Sequence, residues 1–281
     1  HRVMKLLNQH TVVVRGAGDL ATGVIARLVH AGFRVVALES PTPSAIRRTV
    51  CLSEAMYEGR AQVEDIEAIR VDTVDAALAL LASAGPSGPV PVLADPKAES
   101  LAAIKPLALV DAIIAKRNLG TRRGMAPIVV ALGPGFEAGV DADAVIETNR
   151  GHHLGRILLS GQAEPNTGVP VIIAGAGRER VLYAPVAGVI ENLTQIGDQV
   201  EADQAVLAVV GDAGRVLVRS ALQGTVRGLI RPGYPAHAGL KVADVDPRCV
   251  REHCHTISDK ARALGGGVLE AVLMLAGRIG V

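Results

Sequence analysis

The stretch Arg15-Gly16-Ala17-Gly18-Asp19-Leu20-Ala21 follows the apolar run Thr11-Val12-Val13-Val14 and leads into apolar residues at helical spacing, Leu20, Val24 and Leu28. It fits G-x-G-x-x-A, in which glycines let the backbone at a helix N-terminus approach a phosphate closely. On this reading Gly16, Ala17, Gly18, Asp19, Leu20 and Ala21 form the cradle. Glu39 ends the next apolar run about twenty residues on, where a carboxylate accepts a hydrogen bond from a ribose hydroxyl. Asp19 is discordant. A carboxylate at the positive end of a helix competes with an anionic ligand for the same amides. It could equally cap the helix in a loop that holds nothing. Arg15, just before the loop, is positioned in sequence to offset its charge.

Other residue types could complete such a site. Arg47 and Arg48 follow the second apolar run and offer guanidinium forks to a 2′-phosphate or another phosphate, unless they line a solvated face. Lys116 and Asn118, in "KRNLGT", follow an apolar run at 110–114, and ligands of open α/β sheets gather at strand C-termini. "ETNRGHHLGR" places Glu147 and His152 in one glycine-flanked stretch, where general acid–base groups or ordinary surface groups are both plausible. Were the chain an NAD(P)-dependent oxidoreductase, Asp19, Lys116 or His152 would be the proton-transfer candidates. Cys249, His253, Cys254 and His255 are metal-ligand types, but C-x4-C flanked by histidines is not a zinc spacing and no second ligand pair exists. No metal is therefore expected. Gly265-Gly266-Gly267 either opens a helix whose amides hold an anion or breaks one.

The elements that must position these residues alternate in the first half. Strands are expected at 12–14, 34–38, 68–71, 90–94, 110–114 and 128–132, with helices at 20–30, 72–84 and 99–104. That alternation predicts a Rossmann-like doubly wound parallel sheet over residues 1–133. Residues 134–183 read as a β-rich connecting region. Residues 184–248 contain a repeat at a period of 36, with Gly188 falling on Gly224, Leu193 on Leu229 and Gly197 on Gly233. Its "APVAGVI", "IGDQVEADQAVLAVV" and "SALQGTV" resemble a biotinyl/lipoyl-like barrel-sandwich hybrid. Carriers of that class present a lysine at the hairpin between repeats. Here the hairpin is Gly211-Asp212-Ala213-Gly214-Arg215, so neither biotin nor lipoate is expected. Residues 249–281 read as a C-terminal helical tail, split in two by the glycine trio.

Composition narrows the function classes. The 281 residues are 49% apolar and 20% charged, which excludes a disordered chain. Lysine and arginine number 29 against 28 acidic residues, so charge makes no case for nucleic acid or an anionic membrane. Aromatic residues are 2% and Trp is absent, which disfavours base stacking. Three cysteines do not make a disulfide framework. No apolar run approaches the roughly 20 residues needed to span a bilayer, and the first residues lack a signal-peptide pattern. A cytoplasmic location is expected. His1-Arg2-Val3, before Met4, is set aside from fold reasoning.

Several stretches together resemble one family. "GAGDLATGV", "AIRRTVCLSEAMYEG", "AKRNLGT", "LGPGFEAG", "ETNRGHHLGR", "PNTG", "RGLIRPG", "GLKVADVDPR" and "TISDKARALGGGVLEA" are similar to the YqeB family, accessory proteins of the selenium-dependent molybdenum hydroxylase system. The glycine loop of that family carries the same aspartate, so Asp19 fits it. The resemblance implies a cytoplasmic accessory or maturation role, handling the cofactor or delivering selenium or sulfur to it. The implied partners are a molybdenum hydroxylase or its maturation machinery and a small phosphorylated ligand, with homo-oligomers possible. The ligand would be NAD(P) or another nucleotide, or the molybdenum cofactor. An NAD(P)-dependent oxidoreductase and a non-catalytic scaffold stand as the alternatives.

Overall fold

β-Branched side chains pack well on a pleated surface, and the first strand, β1 (Thr11–Arg15), consists largely of them. Val12, Val13 and Val14 are fully buried, as in a strand covered on both faces. The computed structural model describes residues 7–85, 87–212 and 214–281. Ala213 of the Gly211–Arg215 hairpin and residues 1–3 lie outside these. The chain forms two units, one of His1–Pro43, Cys51–Asn166 and Ile257–Val281, the other of Ser44–Val50 and Thr167–Thr256.

In the first unit, helix α1 (Asp19–Ala31) connects β1 to β2 (Arg34–Glu39). It ends at Gly32, whose φ of 102° supplies the left-handed cap. β3 (Arg60–Val63) and β4 (Ile66–Val71) form a hairpin. Helix α2 (Val74–Ala84), capped by the Thr73 hydroxyl, leads to β5 (Val90–Ala94). β6 (Ala108–Asp111), β7 (Ile128–Leu132), β8 (Glu137–Ala138), β9 (Ala144–Ile146), β10 (Ile157–Leu158) and β11 (Gly161–Gln162) follow. One face of the main sheet buries Val13, Val36, Leu109 and Val129 with Ala77 and Leu81 of α2.

This is not the Rossmann-like doubly wound parallel sheet expected of residues 1–133. The sheet has nine strands in the order β10-β9-β7-β6-β1-β2-β5-β4-β3 and is mixed. Strands β9 to β4 are parallel, but both edges are antiparallel, β3 against β4 and β10 against β9. The sheet also runs beyond residue 133. Among the described residues no helix forms between β6 and β7 or between β7 and β9. The chemistry of those segments explains it, because "GTRRGMAP" and "GPGFEAG" are rich in the residues that most disfavour helix. The face is filled from elsewhere. The C-terminal helix, α3 (Asp259–Arg278), packs on α1, β7 and β9.

α3 is one continuous helix, so the glycine trio does not split it. Close packing accounts for two of the three glycines. A Cβ at Gly265 would lie 2.5 Å from the Gly23 carbonyl oxygen, and one at Gly267 would lie 2.4 Å from that of Gly155.

The second unit corrects the barrel-sandwich expectation. It comprises β12 (Val181–Tyr183), β13 (Gly188–Asn192), β14 (Gln199–Val200), β15 (Ala205–Gly211), β16 (Gly214–Arg219), β17 (Gly224–Leu229), β18 (Pro235–Ala236) and β19 (Lys241–Asp246). They form two separate four-stranded antiparallel sheets, β12-β19-β17-β14 and β16-β15-β13-β18. The first recruits β12 from outside the 184–248 window. The 36-residue period has a structural counterpart. A Cβ at Gly188 would meet the Val210 oxygen at 2.5 Å, and one at Gly224 would meet the Asp246 oxygen, 36 residues on, at 2.6 Å. Leu182, Ile190, Val209, Val226 and Val245 share one core, onto which Ile46 packs.

Candidate functional site

The glycine loop has a buried half and an open half. Gly16 has φ +99°, and a Cβ there would lie 2.9 Å from the Ala112 oxygen. Its N–H donates to the Leu38 carbonyl at 2.7 Å. The Ala17 N–H donates to Glu39 Oε2 at 2.8 Å, and Glu39 Oε1 accepts from Ser40 N–H at 2.7 Å. Glu39 therefore ties the end of β2 to the loop. Its burial raises its pKa above the usual carboxylate value, against those two N–H groups. Each carboxylate oxygen has a further lone pair, so acceptance from a ligand hydroxyl is not blocked. From Gly18 the loop opens. Gly18, Asp19 and Leu20 are half-buried, and nothing lies within 4 Å of where a Gly18 Cβ would be. Gly18 is the N-cap of α1 and has no side chain with which to cap its first amides.

Arg15 does not balance Asp19. It is buried, and its guanidinium donates to Thr121 Oγ1 at 2.7 Å and to the Pro96 carbonyl at 2.7 Å. Thr121 in turn donates to Asp111 Oδ2 at 2.6 Å. This belt holds residues 112–121 over the C-terminal ends of β1 and β6. Asn118 serves the same segment, taking N–H bonds from Gly120 and Thr121 and donating to the Thr121 carbonyl. It shapes the turn that presents Lys116, which is exposed. Ile114 and Lys116 have φ of +58° and +61°. The left-handed conformation is unfavourable for a β-branched residue, so the belt holds strain at this edge.

Lys260, a residue the motifs did not single out, lies within electrostatic range of Asp19. A Cβ at Gly23 would meet the Ala261 oxygen at 2.5 Å, so the second turn of α1 and the first turn of α3 lie backbone to backbone. Lys260, in the first turn of α3, interacts with Asp19, Arg150, Lys116 and Glu147. Burial lowers its ammonium pKa below the usual lysine range. Arg150 and Lys116 lower it further, while Asp19 and Glu147 act the other way. The signal present in sequence was the helix start itself, Ser258-Asp259-Lys260, with the Ser258 hydroxyl capping the Ala261 N–H.

Glu147 is buried and accepts from the Asn149 and Glu164 N–H groups, so it builds its loop. Arg150, five residues before the tight approach of Gly155 to Ala263, makes a two-bond pair with Asp259 at 2.6 and 2.7 Å. His152 is exposed and sits edge-on to His153, ring centroids 4.9 Å apart. Arg47 and Arg48 belong to the second unit. Arg47 donates to the His253 carbonyl at 2.9 Å and Arg48 to the Leu229 carbonyl at 2.7 Å. Cys249 is exposed and Cys254 buried, its thiol pKa raised by burial. Among the described residues no group of three or more His, Cys, Asp or Glu is arranged to hold a metal ion. The trio Gly265–267 lies within a helix, so its amides do not form an anion site at a helix start. None of the described helices is long and apolar enough to cross a membrane.

Fold and site together define an α/β protein with a half-open glycine turn at the C-terminal edge of its parallel strands. No protein-family model matches the chain. It is 48% identical over 264 residues to a protein of Escherichia coli (strain K12) named "Uncharacterized protein YqeB", and the match takes in 94% of this chain. The chain spans about half (47%) of the length of that curated relative. The resemblance seen in the motifs thus extends over nearly the whole chain. Among solved structures, "TcdA (CsdL)" overlays with a TM-score of 0.35 at 12% identity, covering 99% of this chain and 91% of that one. The product-bound ectoine utilization protein EutE (DoeB) from Ruegeria pomeroyi gives 0.28 at 12% identity, over 84% and 85% of the two chains. A succinylglutamate desuccinylase/aspartoacylase from Rhodobacter sphaeroides gives 0.29 at 12%, with the same coverage. Overlays this loose carry no functional argument.

Proposed function

We propose that the first unit binds a small phosphorylated ligand, a nucleotide such as NAD(P) or a molybdopterin-type phosphate, on the backbone of Gly18, Asp19 and Leu20. We further propose that the chain acts as an accessory or maturation protein of a selenium-dependent molybdenum hydroxylase, in the cytoplasm. The second part rests on the resemblance to YqeB and on nothing in the geometry.

The observation that supports the first part is the contrast between the two glycines. Gly16 is demanded by the fold, through its positive φ and its contact with Ala112. Gly18 is not. Its φ of −72° suits any residue, and a side chain there would meet no protein atom. A glycine that the fold does not require, at the start of a 13-residue helix, leaves the backbone approachable. Calorimetric titration with ADP, NAD, NADP and molybdopterin tests this. The wild-type protein is expected to bind at least one of them, and Gly18→Val is expected to abolish that binding while melting within a few degrees of wild type. Undiminished affinity in Gly18→Val sinks the assignment. Native mass spectrometry of freshly purified protein would identify the ligand that travels with it.

A further inference from the structure

The first unit carries a cavity of about 820 Å³, a size suited to a small molecule. Its walls come from the segments that lead into three neighbouring strands. Lys105 and Pro106 precede β6, Arg123 to Pro127 precede β7, and Asp143 precedes β9. These strands are parallel to β1, so the cavity lies at the N-terminal edge of the sheet, opposite the glycine loop. Leu101, Pro106, Met125 and Ala126 give it an apolar wall. Two cations line it with donors that the fold leaves unused. Arg123 is fixed in place, its Nε donating to Asp143 Oδ1 and its Nη1 to the Gly139 carbonyl, both at 2.8 Å. Asp143 is itself tied to β7, its Oδ2 accepting from the Val129 N–H at 2.8 Å. Both carboxylate oxygens are thus engaged, whereas Arg123 Nη2 and the Lys105 ammonium have no partner among the described residues. Lys105 is also strained. It ends the helical turn Leu101–Ile104 at φ 49° and ψ 58°, a left-handed cap that favours glycine. It also precedes Pro106, which favours extended backbone in the residue before it. Strain of this kind concentrates at ligand clamps.

We propose that this cavity is a second ligand site, which takes a small organic carboxylic acid with an apolar body. Its carboxylate would accept from Arg123 Nη2 and the Lys105 ammonium, and its hydrocarbon would lie along Leu101, Pro106 and Met125. The charge of the lining matches a monoanion, because Lys105 and Arg123 stand against the single carboxylate of Asp143. An anchored guanidinium offers a carboxylate a fixed donor edge without ordering a long side chain on binding. The proposal is independent of the phosphate reading of the glycine loop.

Calorimetric titration of the full chain with octanoate, acetate and octylamine tests it. Wild type is expected to bind octanoate at least about tenfold more tightly than acetate, and octylamine more weakly than octanoate by a similar factor. Lys105→Gly is expected to weaken octanoate binding at least about fivefold while melting no lower than wild type, because glycine relieves the left-handed strain. Lys105→Arg keeps the charge and is expected to stay within about twofold of wild type. A purely structural role for Lys105 would not separate melting from affinity in this way. Amide chemical shifts on adding octanoate are expected to move at Ala102, Lys105, Met125 and Ala126 and to stay in place at Gly16 and Gly18. No binding of octanoate, equal binding of octanoate and octylamine, undiminished affinity in Lys105→Gly, or shifts centred on the glycine loop would each overturn the proposal.

Discussion

Gly16 and Gly18 stand two positions apart and carry different obligations, which makes them separable by substitution. Gly16→Ala must adopt φ +99° and bring a Cβ to 2.9 Å from the Ala112 oxygen, so a loss of ~1–3 kcal/mol is expected in urea unfolding. Gly18→Val should lose no more than ~1 kcal/mol, the size of an N-cap effect. A different residue-level argument applies to Asp246 in the second unit. Burial pushes its carboxyl pKa up, but the Arg248 side chain and N–H, with Arg227, outweigh that and bring it from 3.8 to about 2. A folded-state value below the unfolded one means stability that is fully present above the unfolded pKa and is lost as pH falls through the folded one. Asp246→Asn is therefore expected to destabilise by about 2 kcal/mol at pH 7, with roughly half of that remaining at pH 3. Urea midpoints of both proteins at the two pH values measure it. A cost that does not change with pH would trace the effect to packing instead.

Between residues and fold, the glycine trio shows why local reading of an element can fail. Three consecutive glycines have poor helix propensity, and the sequence alone reads them as a break or an anion site. Two of them are instead required by helix packing. Gly265 lets α3 approach Gly23 and Gly267 lets it approach Gly155, whereas a Cβ at Gly266 would have nothing within 4 Å. Tertiary contact outweighs a propensity penalty of about 1 kcal/mol per glycine. The pattern predicts opposite signs along one turn. Gly265→Ala and Gly267→Ala should each destabilise by ~1–3 kcal/mol through overpacking. Gly266→Ala should stabilise by ~0.5–1 kcal/mol through propensity. Thermal unfolding followed by circular dichroism distinguishes them, and three changes of one sign would contradict the crossing. The strands themselves were legible, because Val12–Val14, Val35–Val36 and Val129–Val130 are short apolar runs bounded by turn residues. The missing crossover helices and the antiparallel edges were not. Pairing partners far apart in sequence leave no local periodicity. Lys260 escaped notice for the same reason, since only the helix crossing brings it to Asp19.

At the scale of the whole chain, each unit is assembled from separated segments. The 36-residue repeat of the second unit was visible in sequence because it preserves glycines at the same close approaches. The contribution of Ser44–Val50 was not visible, since a short stretch before Cys51 gives no sign that it serves strands beyond residue 180. Its bonds are specific. The Leu229 N–H donates to the Ile46 carbonyl at 2.7 Å, Arg48 donates to the Leu229 carbonyl, and Thr49 Oγ1 donates to the Cys254 carbonyl. The Ile46 side chain lies against Gly228, where a Cβ would meet it at 3.0 Å. Ile46→Ala removes that apolar contact while leaving the backbone bonds available, and its expected cost is ~1–3 kcal/mol. Because local opening follows cooperative units, the loss should fall on the second unit. Native-state hydrogen exchange of the intact chain is expected to show faster exchange at the β17 and β19 amides, Leu229 and Val245 among them. Amides of Val13 and Val14 in β1 are expected to exchange as in wild type. Equal acceleration in both sets would mean that the two units open as a single cooperative block.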